Sequence, residues 1–126
     1  MKEKIQLEYV VPSSLKVLYD HLSTPEGLSK WFADDVNVNG DEYTFIWEGE
    51  KQKAKITGKK NGSYVRFKWL DEEDDDKTYL EFRINKDEIT NDIILLVTDF
   101  VEESERDDII DLWDSQIEDL MQVLGV

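Results

Sequence analysis

Through the middle of this chain, apolar and polar residues alternate in one short stretch after another. Tyr43, Phe45 and Trp47 alternate with Thr44, Ile46 and Glu48, and Lys51, Lys53, Lys55 and Thr57 alternate with Gln52, Ala54 and Ile56. Val65, Phe67 and Trp69 stand against Tyr64, Arg66 and Lys68, and Thr78, Leu80, Phe82 and Ile84 against Tyr79, Glu81 and Arg83. A period of two is the mark of half-buried strands. Between the stretches lie turn signals: Glu48-Gly49-Glu50, the pair Asn61-Gly62, and the hydrophilic run Asp71 to Asp76. Asn61-Gly62 is the strongest short hairpin signal, because both residue types tolerate positive φ. Ile93 to Val97 is apolar throughout. That predicts a strand covered on both faces, the outer cover being Tyr64 and Tyr79 or a second subunit. Its preceding turn falls either at Asn85–Glu88 or at Asn91-Asp92.

The two ends of the chain add different elements. Ile5, Leu7, Tyr9 and Val11 alternate with polar neighbours until Pro12, which predicts a first strand. Ser13 or Ser14 can then cap a helix whose apolar positions are Leu15, Leu18, Tyr19 and Leu22. Thr24 is a good cap for a second short helix, with Pro25 at its first position, Glu26 in its first turn, and Leu28, Trp31 and Phe32 on its apolar edge. At the far end Ile110, Trp113, Ile117, Leu120 and Leu124 recur at helical spacing, widened by Ile109 and Met121. Ser104-Glu105-Arg106-Asp107 resembles a capping box, and Gly125 is a stop signal. The expected order is therefore a strand, two short helices, five or six antiparallel strands and a long C-terminal helix. The hairpin-connected sheet must cover an apolar face, and that last helix, from about Asp107 to Leu124, is long enough to do it.

Charge and composition narrow the partners. The chain carries 15 Lys and Arg against 30 Asp and Glu, a net charge of −15. Phosphates are repelled by such a surface, which argues against nucleic acid and against an anionic membrane. The same repulsion between copies favours a monomer slightly over a homodimer. There is no Cys, which removes disulfides, thiolate metal sites and cysteine nucleophiles. No apolar run approaches a membrane span, and the N-terminal residues lead into an alternating strand instead of a signal-peptide core. The expectation is a cytoplasmic protein without membrane insertion. The length fits one domain, residues 1–126. Area scaling leaves roughly 7,000 Å² of about 21,000 Å² exposed after folding, enough burial for a real core.

The element order resembles the helix-grip fold of the START-like (SRPBCC) superfamily, which includes Bet v 1-type allergens and polyketide cyclases. Pro12, Tyr19 and the run Leu22-Ser23-Thr24-Pro25-Glu26-Gly27-Leu28-Ser29-Lys30-Trp31-Phe32 are similar to the N-terminal signature of the branch related to the activator of a heat-shock chaperone ATPase. So are Phe45-Ile46-Trp47-Glu48-Gly49 and the closing stretch Trp113 to Leu120. Two features depart from that branch: the acid at the Asp71 to Asp76 run and in surplus at the C-terminal end, and Leu112 where a glycine often precedes the Trp. The resemblance implies an α+β fold, a curved antiparallel sheet wrapped on a long C-terminal helix, with a cavity for an apolar small molecule. It implies no one reaction.

The candidate sites rank accordingly. His21 is the one imidazole, so no His pair or His-centred metal site exists, and its place near a helix end suits a surface residue stabilised by the dipole. The six carboxylates at Asp71 to Asp76 lack the glycine and spacing of a Ca²⁺ loop and read as a solvated run. Asp34-Asp35 follow a helix with no acid–base partner in view. No metal, cofactor or catalytic group set is called for, and an enzyme is the weaker expectation. The sharp feature is the aromatic set. Trp31, Phe45, Trp47, Phe67, Trp69, Phe82 and Trp113, with Ile117, are expected to line a ligand cavity between sheet and helix. A packed aromatic core is the competing reading, in which Ala54 and Gly58 supply the small partners. The functions that follow are non-catalytic binding of an apolar small molecule or lipid, interaction with a chaperone or another protein through the sheet and acidic rim, or a cyclase-like reaction.

Overall fold

A computed structural model describes residues 2–70 and 78–126; the acidic run at 71–76 lies outside the described residues. Strand β1 (Lys2–Val10) stops at Pro12 and is followed by helices α1 (Leu15–Ser23) and α2 (Pro25–Leu28). Six strands come next: β2 (Asp35–Asn39), β3 (Glu42–Trp47), β4 (Glu50–Lys60), β5 (Tyr64–Trp69), β6 (Leu80–Lys86) and β7 (Ile93–Glu102). A short 3-10 turn, Glu103–Glu105, leads into helix α3 (Arg106–Leu124). The seven strands form one antiparallel sheet in the order β1-β7-β6-β5-β4-β3-β2, so the first strand pairs with the last. This is the α+β helix-grip arrangement. The accessible surface is 7706 Å², close to the area expected from the chain's size.

Local chemistry explains the joints. Ser14 supplies the cap of α1, its Oγ accepting from the Val17 N–H at 3.2 Å. Thr24 does double duty between α1 and α2. Its Oγ1 accepts from the Gly27 N–H at 3.0 Å and donates to the Asp20 carbonyl at 2.7 Å. The two helices meet so closely that a Cβ at Gly27 would fall 2.4 Å from the Asp20 carbonyl oxygen. Glycine is required there by the close approach of backbone to backbone. In the β3–β4 turn Glu48 and Gly49 both have positive φ, as a tight hairpin needs.

Several expectations are corrected. Helix α2 is only four residues long, so Trp31 and Phe32 sit in the turn after it, held by the Phe32 N–H on the Leu28 carbonyl at 2.9 Å. Strand β2 went unread because Asp35, Asn37 and Asn39 are poor strand formers; it is held by pairing with β3. At Asn61-Gly62 only Gly62 takes positive φ. The turn before β7 runs from Asp87 to Asp92 and so overlaps both the Asn85–Glu88 and the Asn91-Asp92 alternatives, with the Asp87 carboxylate accepting from the Ile89 and Thr90 N–H groups. The capping box at Ser104 does not form. Ser104 lies inside the 3-10 turn, Glu105 occupies the cap position without a side-chain bond, and Asp107 and Asp108 face the helix dipole instead.

The core lies on one face of the sheet. Leu18, Leu22 and Leu28 close it from the α1–α2 side, and α3 contributes Trp113, Ile117 and Leu120. On β7, Leu95 and Val97 point into this core while Ile94 and Leu96 are half-buried on the other face. The apolar run thus does feed both faces.

Candidate ligand-binding cleft

Alternation along β3, β5 and β6 sends Tyr43, Phe45, Trp47, Phe67, Trp69 and Phe82 to the helix side of the sheet. Ala54 is opposite both Tyr43 and Trp69 in the register of β4 with its neighbours. Having no side chain beyond Cβ, it lets the rings on β3 and β5 meet across it. Tyr43 reaches Phe67 at 5.3 Å, Phe45 reaches Phe67 at 5.8 Å and Trp69 at 5.6 Å between ring centroids. Gly58 plays no part in this; it sits at a β4 bulge against Tyr64, a ring on the outer face.

The hub of the cluster is Phe32. Its ring stacks on Trp113 at 5.8 Å and meets Phe45, Trp47 and Phe82 edge-on at 5.3, 5.3 and 5.9 Å. Sequence reasoning left Phe32 out of the site, although the adjacent Trp31-Phe32 pair was its signal. Phe45, Phe67, Phe82 and Ile117 are at most 2% exposed and stand inside this packed cluster. Trp31 is also nearly buried, with its ring 5.7 Å from Phe82.

Open space begins at the rim of the cluster. A cleft of about 510 Å³ runs between α3 and the sheet, with Phe32, Trp47, Trp69, Trp113, Ile109 and Leu112 as its apolar wall. Of the expected site residues, Trp47, Trp69 and Trp113 therefore come together on one wall. A broader hollow of about 700 Å³ adjoins it along Trp31, Trp47 and the polar side of α3. Phe32, Trp47 and Gln116 belong to both and form the ridge between them. The smaller cleft is the candidate site because three indoles and the aliphatic side chains of Val101, Ile109 and Leu112 line it.

Hydrogen bonds fix the indoles of Trp31, Trp47 and Trp113. Trp47 donates from Nε1 to the Phe32 carbonyl at 2.7 Å, and Trp113 to Oδ2 of Asp99 on β7 at 3.1 Å. Trp31 donates to the His21 carbonyl at 2.7 Å. Each ring is thus held at its polar end by another element, and its apolar face is preset. Tyr9 on β1 donates to Asp114 at 2.7 Å and ties α3 to the sheet edge. Burial, then that hydrogen bond and the carboxylate's charge, push the Tyr9 phenol far up, so it remains a donor at any physiological pH.

The ionisable groups at the cleft are Lys2 and the acids Asp99, Glu102 and Glu105 around its mouth. His21 lies on α1, with Nδ1 2.8 Å from the Val17 carbonyl. Asp34 and Asp35 are exposed and act on backbone: Asp34 accepts from the Glu48 N–H at 2.7 Å and Asp35 from that of Val36 at 2.9 Å. Among the described residues no three His, Asp or Glu side chains are grouped to hold a metal. What the arrangement can do chemically is bind an apolar body against fixed indoles, with carboxylates at the entrance.

Residues 1–126 match the START-like superfamily domain along their whole length. This chain belongs to that superfamily. The START-like chain is 41% identical to a Bacteroides fragilis protein solved by solution NMR, covering 97% of this chain and 90% of that one, with a TM-score of 0.69. It is also similar to the Aha1 dimer from Colwellia psychrerythraea, at 19% identity and a TM-score of 0.78, covering 98% and 97% of the two chains. A Mesorhizobium loti protein gives 14% identity, a TM-score of 0.77 and the same coverage of 98% and 97%. At those two lower identities the likeness is one of fold. No curated protein matches the chain. No helix among the described residues is long and apolar enough to cross a membrane.

Proposed function

We propose that this START-like chain is a non-catalytic binding domain for an apolar small molecule or lipid. The observation that carries this reading is the cleft of about 510 Å³ walled by Trp47, Trp69 and Trp113 and continued by the exposed Leu112. Its volume is in the range of small-molecule sites. The ligand's apolar part lies against the indoles, where burial of each methylene contributes about 0.8 kcal/mol. The packed rings behind the wall set the depth of entry.

Titration with fatty acids, sterols and an environment-sensitive dye tests it, read by tryptophan emission. Saturable quenching is expected in the wild type, and it weakens in Trp69→Ala and in Ile109→Trp, which fills the cleft. Failure of every apolar compound to bind below about millimolar, a level worth only about 4 kcal/mol, overturns the reading. The runner-up is an interaction domain of the chaperone-activator kind, binding a protein through its sheet and acidic rim; the fold it shares with the Aha1 dimer supports it. Association of that type weakens steeply with salt, whereas apolar binding in the cleft does not. We propose a monomer on the strength of the −15 net charge, and sedimentation at low and high salt tests that state.

A further inference from the structure

The apolar cleft has a sheet wall and a helix wall, and each carries one carboxamide among its apolar side chains. Of the residues on β3 to β6, those lining the cleft are Trp47, Gln52 and Trp69. Gln52 is opposite Phe45 across β3 and β4, so its side chain is on the inner face with the rings. Along that face Trp47 is opposite Glu50 and Trp69 is opposite Ala54, the inward positions on either side of Gln52. Gln52 is therefore a neighbour of both indoles, whose centroids are 6.2 Å apart with planes 49° to each other. Its exposed amide makes no hydrogen bond to a described residue.

On the helix wall Gln116 lies one turn after Trp113 and is half-buried. Its Nε2 donates to the Phe32 carbonyl at 3.4 Å. The same oxygen accepts from the Trp47 indole at 2.7 Å, so the glutamine contact is the longer and weaker of the two. Gln116 keeps a second N–H and Oε1 for another partner. Charge is arranged differently. Among the described residues Lys2 is the one cation lining the cleft, and it has an interaction of its own. An incoming carboxylate therefore meets no spare positive charge there, while Glu105 at the mouth repels it.

We infer that Gln52 and Gln116 set the specificity of the cleft, which takes an apolar body carrying an uncharged oxygen group, a hydroxyl or a carbonyl. This rests on the cleft being the binding site, as proposed above. A carboxamide both donates and accepts, so it meets either kind of oxygen. A carboxylate ligand gives up its hydration without gaining a countercharge. A plain hydrocarbon buries the same rings but displaces water from the two amides and returns nothing to them. The indoles supply the attraction for any apolar body, and the two amides decide which one stays.

NMR titration with three compounds on one skeleton tests the inference: naphthalene, a naphthalenediol with a hydroxyl on each ring, and the matching dicarboxylate. The diol should bind about tenfold more tightly than either of the others, the worth of one well-made hydrogen bond. The side-chain amide signals of Gln52 and Gln116 should shift and saturate with it. Gln52→Met and Gln116→Met keep the length of the side chain and remove the amide. Each should weaken the diol about threefold to fivefold and leave naphthalene unchanged, a split that loss of shape alone does not produce. Gln122→Met, which touches only the adjoining hollow, should leave diol binding as it is. Equal binding of all three compounds, or an equal loss of diol and naphthalene in the Met variants, overturns the role of the amides and leaves the cleft standing. Failure of both the diol and naphthalene to bind removes the cleft itself, and the inference with it.

Discussion

Strands β5 and β6 carry aromatic rings on both faces, and the faces use them in different ways. Inside, Phe67 and Phe82 meet other rings, with centroids 6.4 Å apart and further contacts to Tyr43, Phe45, Trp31 and Trp113. Outside, Tyr64 and Tyr79 serve as plates under the guanidinium groups of Arg83 and Arg66, which grip the buried carboxylate of Glu81, and Tyr79 also meets Phe100 of β7 edge-on at 5.0 Å. The inner contacts are between neutral groups, whose strength is set by area and shape. The outer guanidinium–carboxylate contacts are between charges, so they respond to pH and salt. One pair of strands therefore has a face that is indifferent to solution conditions and a face that reports them.

The comparison can be broken by substitution, and the largest effects belong to the inner face. Ile117→Asp places an ion in the α3–sheet contact and should cost several kcal/mol, of the order that unfolds a small domain. A melting curve matching the wild type would show that α3 does not close the sheet. Phe67→Ala should cost about 4 kcal/mol, with the same loss at any salt in chemical denaturation. Gly27→Ala, at the α1–α2 contact, should cost about 3 kcal/mol because backbone must move.

The outer face should give a smaller and conditional loss. Glu81→Gln removes the charge that both arginines grip and should cost about 2 kcal/mol at neutral pH. The folded-state pKa of Glu81 lies below its ordinary value of 4.5. Its stabilisation is therefore fully present above that value and is lost as pH falls through the folded pKa. Stability of wild type minus variant, followed downward from pH 7, should shrink in that lower window. A difference that stays constant with pH would show that Glu81 acts by packing. Tyr79→Leu should cost about 1–2 kcal/mol, since it removes both the cation–ring contact with Arg66 and the edge contact with Phe100. Ile89→Ser, in the β6–β7 turn at 92% exposure, should stay within about 0.5 kcal/mol of wild type.

Legibility in the sequence followed the strength of the local pattern. The α3 stripe of Trp113, Ile117 and Leu120 and the alternation at Tyr43–Trp47 and Tyr64–Trp69 were plain, because periodicity is a local property that burial enforces. Strand β2 was not, since Asp35, Asn37 and Asn39 follow no strand preference and are held by their partner strand. The cleft was readable only as a set of aromatics. Which rings fill the interior and which face outward depends on depth along each strand: Phe45 and Phe67 lie mid-strand and are enclosed, whereas Trp47 and Trp69 end their strands and reach the rim. The Arg66–Glu81–Arg83 cluster joins residues 15 apart in sequence and two apart on one strand. No motif marks it, and the β5–β6 register alone brings it together.

The pairing of β1 with β7 bears on how the chain acquires its shape. Lys2 lies opposite Glu102, so this seam closes a loop of about a hundred residues, at an entropic cost that grows only logarithmically with length. The run from β2 to β7 is joined by hairpins, whose partners are neighbours in sequence and meet early. On a ribosome β1 has no partner until β7 has emerged, and its apolar side chains Ile5, Leu7 and Tyr9 wait exposed through most of synthesis. Contacts of such high sequence separation slow folding, which makes the joining of the first strand to the last the event that separates a loose meander from the finished grip.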